Sequence, residues 1–142
     1  MRVRELLTII GGRPLLPDPL PHDPMPILKA WLDEAMAAKD RPNPNSVVLA
    51  TATPDGVPSA RVILCKGLEV ETGSALFFTN YDSIKGDQLE ANPVATMVFH
   101  WDHVERQARI SGPVERATPE ESDAYYATRP LLSRLGAWAS LQ

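Results

Sequence analysis

Basic side chains interrupt an otherwise apolar stretch near the middle of the chain. Arg61 and Lys66 flank the run Val62-Ile63-Leu64-Cys65. An unpaired buried charge costs several kcal/mol, so each cation requires an ion-pair partner, an exposed strand face or a ligand. Ser83 and Lys85 follow at the start of a predicted helix, whose N-terminal N–H groups attract anions. A strand arginine beside such a helix start predicts a phosphate site.

A second group of anion-binding side chains lies near the end of the chain. Tyr125, Arg129 and Ser133 are each four residues apart, and on a helix this spacing places them on one face. The planar donor fork of arginine suits phosphate. Two separate phosphate sites indicate two phosphorylated ligands, such as a cofactor and a substrate.

The sequence gives little support for a metal site, a catalytic triad or a reactive cysteine. The histidines are His22, His100 and His103; His100 and His103 point to opposite faces if both lie in a strand, so no metal site is predicted. A Ser-His-Asp triad stays open, although no serine lies in a nucleophile elbow. Cys65 is predicted to be a small buried hydrophobe. No catalytic side chain is assigned.

Composition limits the class of protein. The 142 residues suffice for one domain, and the net charge of −4 argues against a nucleic-acid partner. No apolar run reaches the roughly 18–20 residues of a membrane span, and no signal peptide is predicted. A single cysteine fits a reducing cytoplasm. We therefore expect a cytoplasmic protein without a membrane partner.

Proline marks the domain organisation. Of 14 prolines, six lie between Pro14 and Pro26, which predicts an extended arm over residues 1–26. The folded domain is then expected to span residues 27–142.

The pattern of apolar residues predicts the elements of that domain. An amphipathic helix begins near Ile27 and ends in the proline-rich stretch 40–45. Helices are also predicted over about 83–90 and 118–128, with one more turn within 133–142. Thr53-Pro54-Asp55-Gly56 predicts a tight turn. The predicted strands are Ser46–Ala52, Val57–Leu68, Ser74–Thr79, Val94–Trp101 and Arg106–Val114. The expected fold is mainly β, a small antiparallel Greek-key-like barrel with peripheral helices.

Four motifs occur in an order typical of one family. They are Arg61–Lys66, Phe78–Lys85, Glu105–Gln107, and Tyr125 with Ser133–Trp138. From about Leu20 to Gln142 the sequence resembles the pyridoxamine/pyridoxine 5′-phosphate oxidase family. The resemblance implies the FMN-binding split β-barrel and a homodimer with FMN in the cleft between subunits.

The resemblance also implies roles for individual residues. Arg61, Ser83 and Lys85 would hold the FMN phosphate. The other FMN contacts that it implies are Val62, Ile63, Leu64, Lys66, Phe78, Thr79, Gln107 and Gln142. The phosphate of a vitamin B6 substrate would be bound by Lys66, Tyr125, Arg129 and Ser133. The implied reaction transfers hydride from the substrate C4′ to flavin N5; dioxygen then accepts the electrons, giving hydrogen peroxide and pyridoxal 5′-phosphate.

Some positions depart from the family pattern. Ile84 stands where the family usually has Arg, Phe78 where it has Tyr, and Leu131-Leu132 where it has a polar pair. The family's C-terminal segment, which supplies further FMN, substrate and dimer contacts, does not follow Gln142. We therefore expect an FMN phosphate site with impaired turnover, in either a fragment or a short relative. The alternatives are an FMN oxidase of another ring, of the phenazine-pathway type, and an FMN-binding module without oxidase activity.

Overall fold

The structure, a computed structural model, describes residues 16–39, 41–128 and 130. Within them the chain forms a mainly antiparallel β half-barrel with helices at its edges, which confirms the predicted fold class. The elements in chain order are α1 (Met25–Ala38), β1 (Ser46–Ala52), β2 (Pro58–Glu69), β3 (Ser74–Phe77), α2 (Ile84–Ala91), β4 (Val94–Trp101), a 3-10 turn (Asp102–Val104), β5 (Arg106–Pro113) and α3 (Pro119–Thr128).

The strands form one sheet in the order β3-β2-β1-β4-β5, with every neighbouring pair antiparallel. The central strand β1 pairs Val47 with Ile63 of β2 on one side and with Phe99 of β4 on the other. Tight connections join β1 to β2 and β4 to β5, whereas α2 connects β3 to β4. Helix α2 therefore lies between the two halves of the sheet in sequence.

One face of the sheet carries the core. Phe99 and Leu49 are 0% and 1% exposed on that face. Helix α1 contributes Leu28 and Leu32 to the same core, at the spacing of an amphipathic helix. On the opposite face, Val48 pairs with Val62, whose side chain is 68% exposed. The sheet thus has one covered and one open face.

A few boundaries differ from the predictions for physical reasons. Strand β3 ends at Phe77 instead of Thr79, because the Asn80 side chain accepts a hydrogen bond from Asp82 N (3.1 Å) and begins a local turn. Helix α1 begins two residues early, since a proline is tolerated in the first turn. His103 lies in the 3-10 turn and not in a strand. None of the described helices is long and apolar enough to cross a bilayer.

Candidate functional site

Arg61 lies where the apolar core ends. It sits on β2 opposite Leu49 and is half-buried. Its Nη1 donates to Thr51 Oγ1 (2.7 Å) and to the carbonyl oxygens of Leu49 (3.3 Å) and Ser59 (3.4 Å). Among the described residues, no carboxylate forms an ion pair with Arg61. Its positive charge is therefore held by neutral acceptors.

Gln88 of α2 completes the surroundings of Arg61, and sequence reasoning missed it. Its side chain is 7% exposed. Oε1 accepts from Thr51 Oγ1 (2.5 Å) and from Arg61 Nη2 (3.4 Å), and Nε2 donates to Ser59 Oγ (3.1 Å). The inward position of Thr51 could have been predicted from sequence, because Thr51 continues the alternation of the buried residues Val47 and Leu49 along β1.

The N-terminus of α2 lies beside this network. Ser83 caps the helix and is buried: its Oγ donates to Asn80 O (2.6 Å) and accepts from Gly86 N (3.3 Å). Burial, reinforced by repulsion from Arg61, lowers the pKa of Lys85. Within the described part of the chain, Lys85 likewise has no carboxylate ion pair. Two cations that repel one another, neither paired with a carboxylate in the described ranges, suit a bound anion.

Gly86 allows the chain to turn tightly into α2, and it too was missed. A Cβ atom at this position would lie 2.0 Å from the carbonyl oxygen of Tyr81. Real Cβ atoms do not approach backbone oxygen so closely, so no other residue fits without movement of the loop or the helix. The sequence signal was a glycine in the first turn of a helix, where glycine is otherwise unfavourable.

Phe78 and Thr79 lie in the connection between β3 and α2. Thr79 Oγ1 is buried, and no partner for it is found among the described residues. The ring of Phe78 stacks on that of Tyr125 from α3, with centroids 3.7 Å apart and an angle of 4° between the planes. Lys66 Nζ lies 5.7 Å from the centroid of the Tyr125 ring. The structure thus brings Lys66 and Tyr125 together next to Phe78.

The residues between Arg61 and Lys66 alternate between the two faces of the sheet. Ile63 packs against the core, whereas Val62 is exposed on the open face and Leu64 is half-buried. Cys65 is 1% exposed, as predicted for a small hydrophobe, and burial raises the pKa of its thiol. A ligand along β2 could reach Val62 and Leu64 only from the open face.

Gln107 is separated from the Arg61 network. It lies on β5, paired with His100 of β4, and β1 and β4 intervene between β5 and β2. It lines a surface hollow of about 320 Å³, which Arg61 and Lys85 do not line. Within one chain, the structure does not bring Gln107 to the Arg61 network. Arg129, Ser133 and Gln142, and the pair Leu131-Leu132, lie outside the described residues.

No group of three or more histidine, cysteine, aspartate or glutamate side chains comes together in the described ranges. The donors of the site are its cations and helix N–H groups, since the hydroxyl protons of Thr51 and Ser83 are donated to Gln88 Oε1 and Asn80 O. Such donors fit the phosphate of FMN, and the buried Thr79 hydroxyl is one more donor without a protein acceptor there.

Comparison with known structures first defines the class of protein. A pyridoxamine 5′-phosphate oxidase-related, FMN-binding protein from Nostoc punctiforme superposes with a TM-score of 0.62 over 79% of this chain and 60% of its own, at 20% identity. PhzG from Burkholderia lata, solved with tetrahydrophenazine-1-carboxylic acid, gives a TM-score of 0.80 at 32% identity over 88% of this chain and 60% of its own. The fold is that of the FMN-binding split barrel.

Sequence comparison then defines the family. A family model described as pyridoxamine 5′-phosphate oxidase matches residues 32–142. A pyridoxine/pyridoxamine 5′-phosphate oxidase of Cupriavidus metallidurans is 49% identical over 142 residues, covering 100% of this chain and 63% of the relative. That of Cupriavidus necator is 55% identical over 120 residues, 84% of this chain and 55% of the relative. The chain belongs to the pyridoxamine 5′-phosphate oxidase family, and it spans between half and two-thirds of the length of these relatives.

Proposed function

We propose that this chain binds FMN and serves the oxidation of pyridoxamine 5′-phosphate or pyridoxine 5′-phosphate to pyridoxal 5′-phosphate. Dioxygen is the electron acceptor and hydrogen peroxide the second product. The observation that carries the proposal is a pair of cations without a carboxylate partner among the described residues: Arg61, which is hydrogen-bonded to Gln88 of α2, and Lys85, which lies in the first turn of that helix. The names of the relatives supply the reaction class.

The chain's own residues would hold the cofactor by its phosphate. Arg61 offers a guanidinium edge, Lys85 a point charge, and the first turn of α2 its backbone N–H groups. Thr79, in the connection that leads into α2, would offer a buried hydroxyl. When bound, FMN accepts the hydride and passes electrons to dioxygen. The protein's task is to fix both rings and to exclude alternative orientations.

The substrate phosphate would be bound by a second group of residues. Lys66 and Tyr125 already lie together, and Arg129 and Ser133 follow Tyr125 at intervals of four in the sequence. The stack of Tyr125 on Phe78 connects this group to the end of β3, next to Thr79. A substrate held there by its phosphate would therefore lie near the residues proposed to contact the flavin.

A homodimer would complete the site. Val48, Val62 and their neighbour Val98 line the open face of the sheet, and two of them, Val48 at 39% and Val62 at 68%, are substantially exposed. Apolar patches of this kind mark contact surfaces. Because Gln107 is remote from Arg61 in one chain, we infer that it contributes to the flavin held by a second copy.

A second candidate function has its own support. The PhzG structure was solved in complex with tetrahydrophenazine-1-carboxylic acid, a ring compound without phosphate, and its fold matches this chain with a TM-score of 0.80. An FMN oxidase of a different ring is therefore the alternative. Arg129→Ala separates the two, since the B6 function predicts a large loss of affinity for pyridoxamine 5′-phosphate, and an unchanged affinity favours the other ring.

The first test is retention of flavin. The purified protein is incubated with FMN and desalted, and its flavin absorption is recorded; peroxide is then assayed with pyridoxamine 5′-phosphate. Retained flavin that is lost in Arg61→Met and Lys85→Met supports the proposal. Lys29→Met is the matched control, because Lys29 is exposed on α1 and paired with Asp33. A colourless wild-type protein refutes the FMN site, and flavin without peroxide indicates a binding module.

A further inference from the structure

We propose that Gln88 is a positioning residue that holds Arg61 in place for the phosphate of FMN and, because it is uncharged, leaves the arginine's charge to the ligand. The inference rests on the proposed FMN site and assigns a specificity role within it. Gln88 would thereby determine how strongly the protein prefers FMN to riboflavin, the same flavin without phosphate.

Gln88 is built into the fold and does not face solvent. At 7% exposure, its amide reaches β1 through Thr51 and β2 through Ser59 and Arg61. Both ends of the amide are used: Oε1 accepts two hydrogen bonds and Nε2 donates one. Hydrogen bonds at both ends of a buried amide favour a single orientation. The side chain therefore fixes α2 relative to the arginine.

The hydrogen bonds to Thr51 and Gln88 hold the two terminal nitrogens of the Arg61 guanidinium. Thr51 Oγ1 accepts a hydrogen bond from Arg61 Nη1 (2.7 Å) and donates one to Gln88 Oε1, which also accepts from Arg61 Nη2 (3.4 Å). Among the described residues, Nε has no acceptor. Since a guanidinium carries five N–H donors in a fixed plane, fixing the two terminal nitrogens also orients the donors that remain.

The neutrality of the network is its second property. The described acceptors of Arg61 are two backbone carbonyls, a hydroxyl and an amide. A glutamate at position 88 would have the same shape and accept the same hydrogen bonds more strongly. It would also neutralise Arg61 and repel a phosphate. Glutamine thus supports the arginine without competing with the ligand.

The test compares the dissociation constants of FMN and riboflavin, measured by quenching of flavin fluorescence. The wild type is expected to bind FMN more tightly. Gln88→Glu should lose at least about tenfold in FMN affinity, with riboflavin affinity unchanged, and its melting curve checks that the variant is folded. Ala91→Glu is the control, because it adds the same charge to an exposed position of α2 and should keep the preference for FMN.

Thr51 offers a second variant that needs no new charge. Thr51→Val removes the hydroxyl between Arg61 and Gln88 and should also reduce the preference for FMN, whereas Thr51→Ser should restore it. The inference is overturned if Gln88→Glu and Thr51→Val keep the wild-type ratio of the two affinities. A wild type that binds FMN no better than riboflavin overturns the phosphate site itself and, with it, the role of Gln88.

Discussion

Replacement of Gly86 by alanine is the most direct test of how the α2 N-terminus is built. The added Cβ would lie 2.0 Å from Tyr81 O and 2.8 Å from the carbonyl carbon. Carbon and carbonyl oxygen normally stay about 3.3 Å apart, so the loop or the helix must retreat by about 1.3 Å. Both contacts are with backbone, so a side-chain rotation cannot relieve them.

The expected magnitude follows from two opposing contributions. Forcing an extra methyl group into a close contact costs about 1–3 kcal/mol, whereas alanine regains at most about 1 kcal/mol of helix propensity. Because the contact is with backbone, the cost should lie in the upper part of its range, and the net loss of about 1–2 kcal/mol should lower the melting temperature by about 3–7 °C in a chain of this size. FMN affinity should fall about tenfold, since displacing the turn costs one charge-assisted hydrogen bond of about 1.5 kcal/mol.

The assay combines thermal unfolding with FMN titration. Gly112→Ala in β5 is the control, because a Cβ there has no atom within 4 Å; it should be neutral or slightly stabilising. If Gly86→Ala melts with the wild type and binds FMN equally well, the close approach of Tyr81 to the helix is not a constraint and the reasoning is refuted.

Three further variants test the remaining contacts. Burial and Arg61 lower the pKa of Lys85. Between that lowered pKa and the ordinary lysine pKa, the unfolded chain binds more protons than the folded chain, so the free energy of unfolding should rise with pH across this window. FMN affinity should fall over the same pH window. The check is to titrate Lys85→Arg with FMN across that window, since the affinity of this variant should show little pH dependence. Thr79→Val should raise the melting temperature of the ligand-free protein, since an unsatisfied buried hydroxyl costs about 1–3 kcal/mol, yet weaken FMN retention. Tyr125→Phe keeps the ring on Phe78 but removes the hydroxyl proposed to bind the substrate phosphate. Its KM for pyridoxamine 5′-phosphate should therefore rise at least about tenfold, with FMN affinity unchanged.

Local chemistry made most of the elements predictable from sequence. Strand β1 was predicted with its observed bounds, Ser46–Ala52, because β-branched residues end at the Thr53–Gly56 turn, where Gly56 adopts a φ of 89°. Helix α3 begins at Pro119, as the Thr118 cap and the proline in the first turn predicted. Signals of this kind act within a few residues of one another, so a single sequence contains them.

The candidate site was predictable only in part, because its remaining features depend on contacts between distant residues. Arg61, Ser83 and Lys85 were predicted from charge and capping, and the structure places them at the same end of the sheet. Gln88 meets Ser59 from 29 positions away, and nothing in the α2 sequence marks it as buried. The separation of Gln107 from Arg61 follows from strand order, which sequence spacing does not define.

The position of the proposed phosphate site reflects a change in how the sheet is covered along its length. Toward one end, Val47 and Leu49 are sealed by apolar neighbours; at the other end the next inward residue is Thr51, and α2 covers it with Gln88 and not with a hydrophobic side chain. A polar cover can hold a half-buried arginine, which an apolar cover could not do without a large desolvation cost. Because Gln88 belongs to α2, this polar cover also places the first turn of α2 beside Arg61. The inward threonine and the buried glutamine, together with two backbone carbonyls, therefore hold the cation with neutral acceptors and leave its charge uncompensated by the described residues.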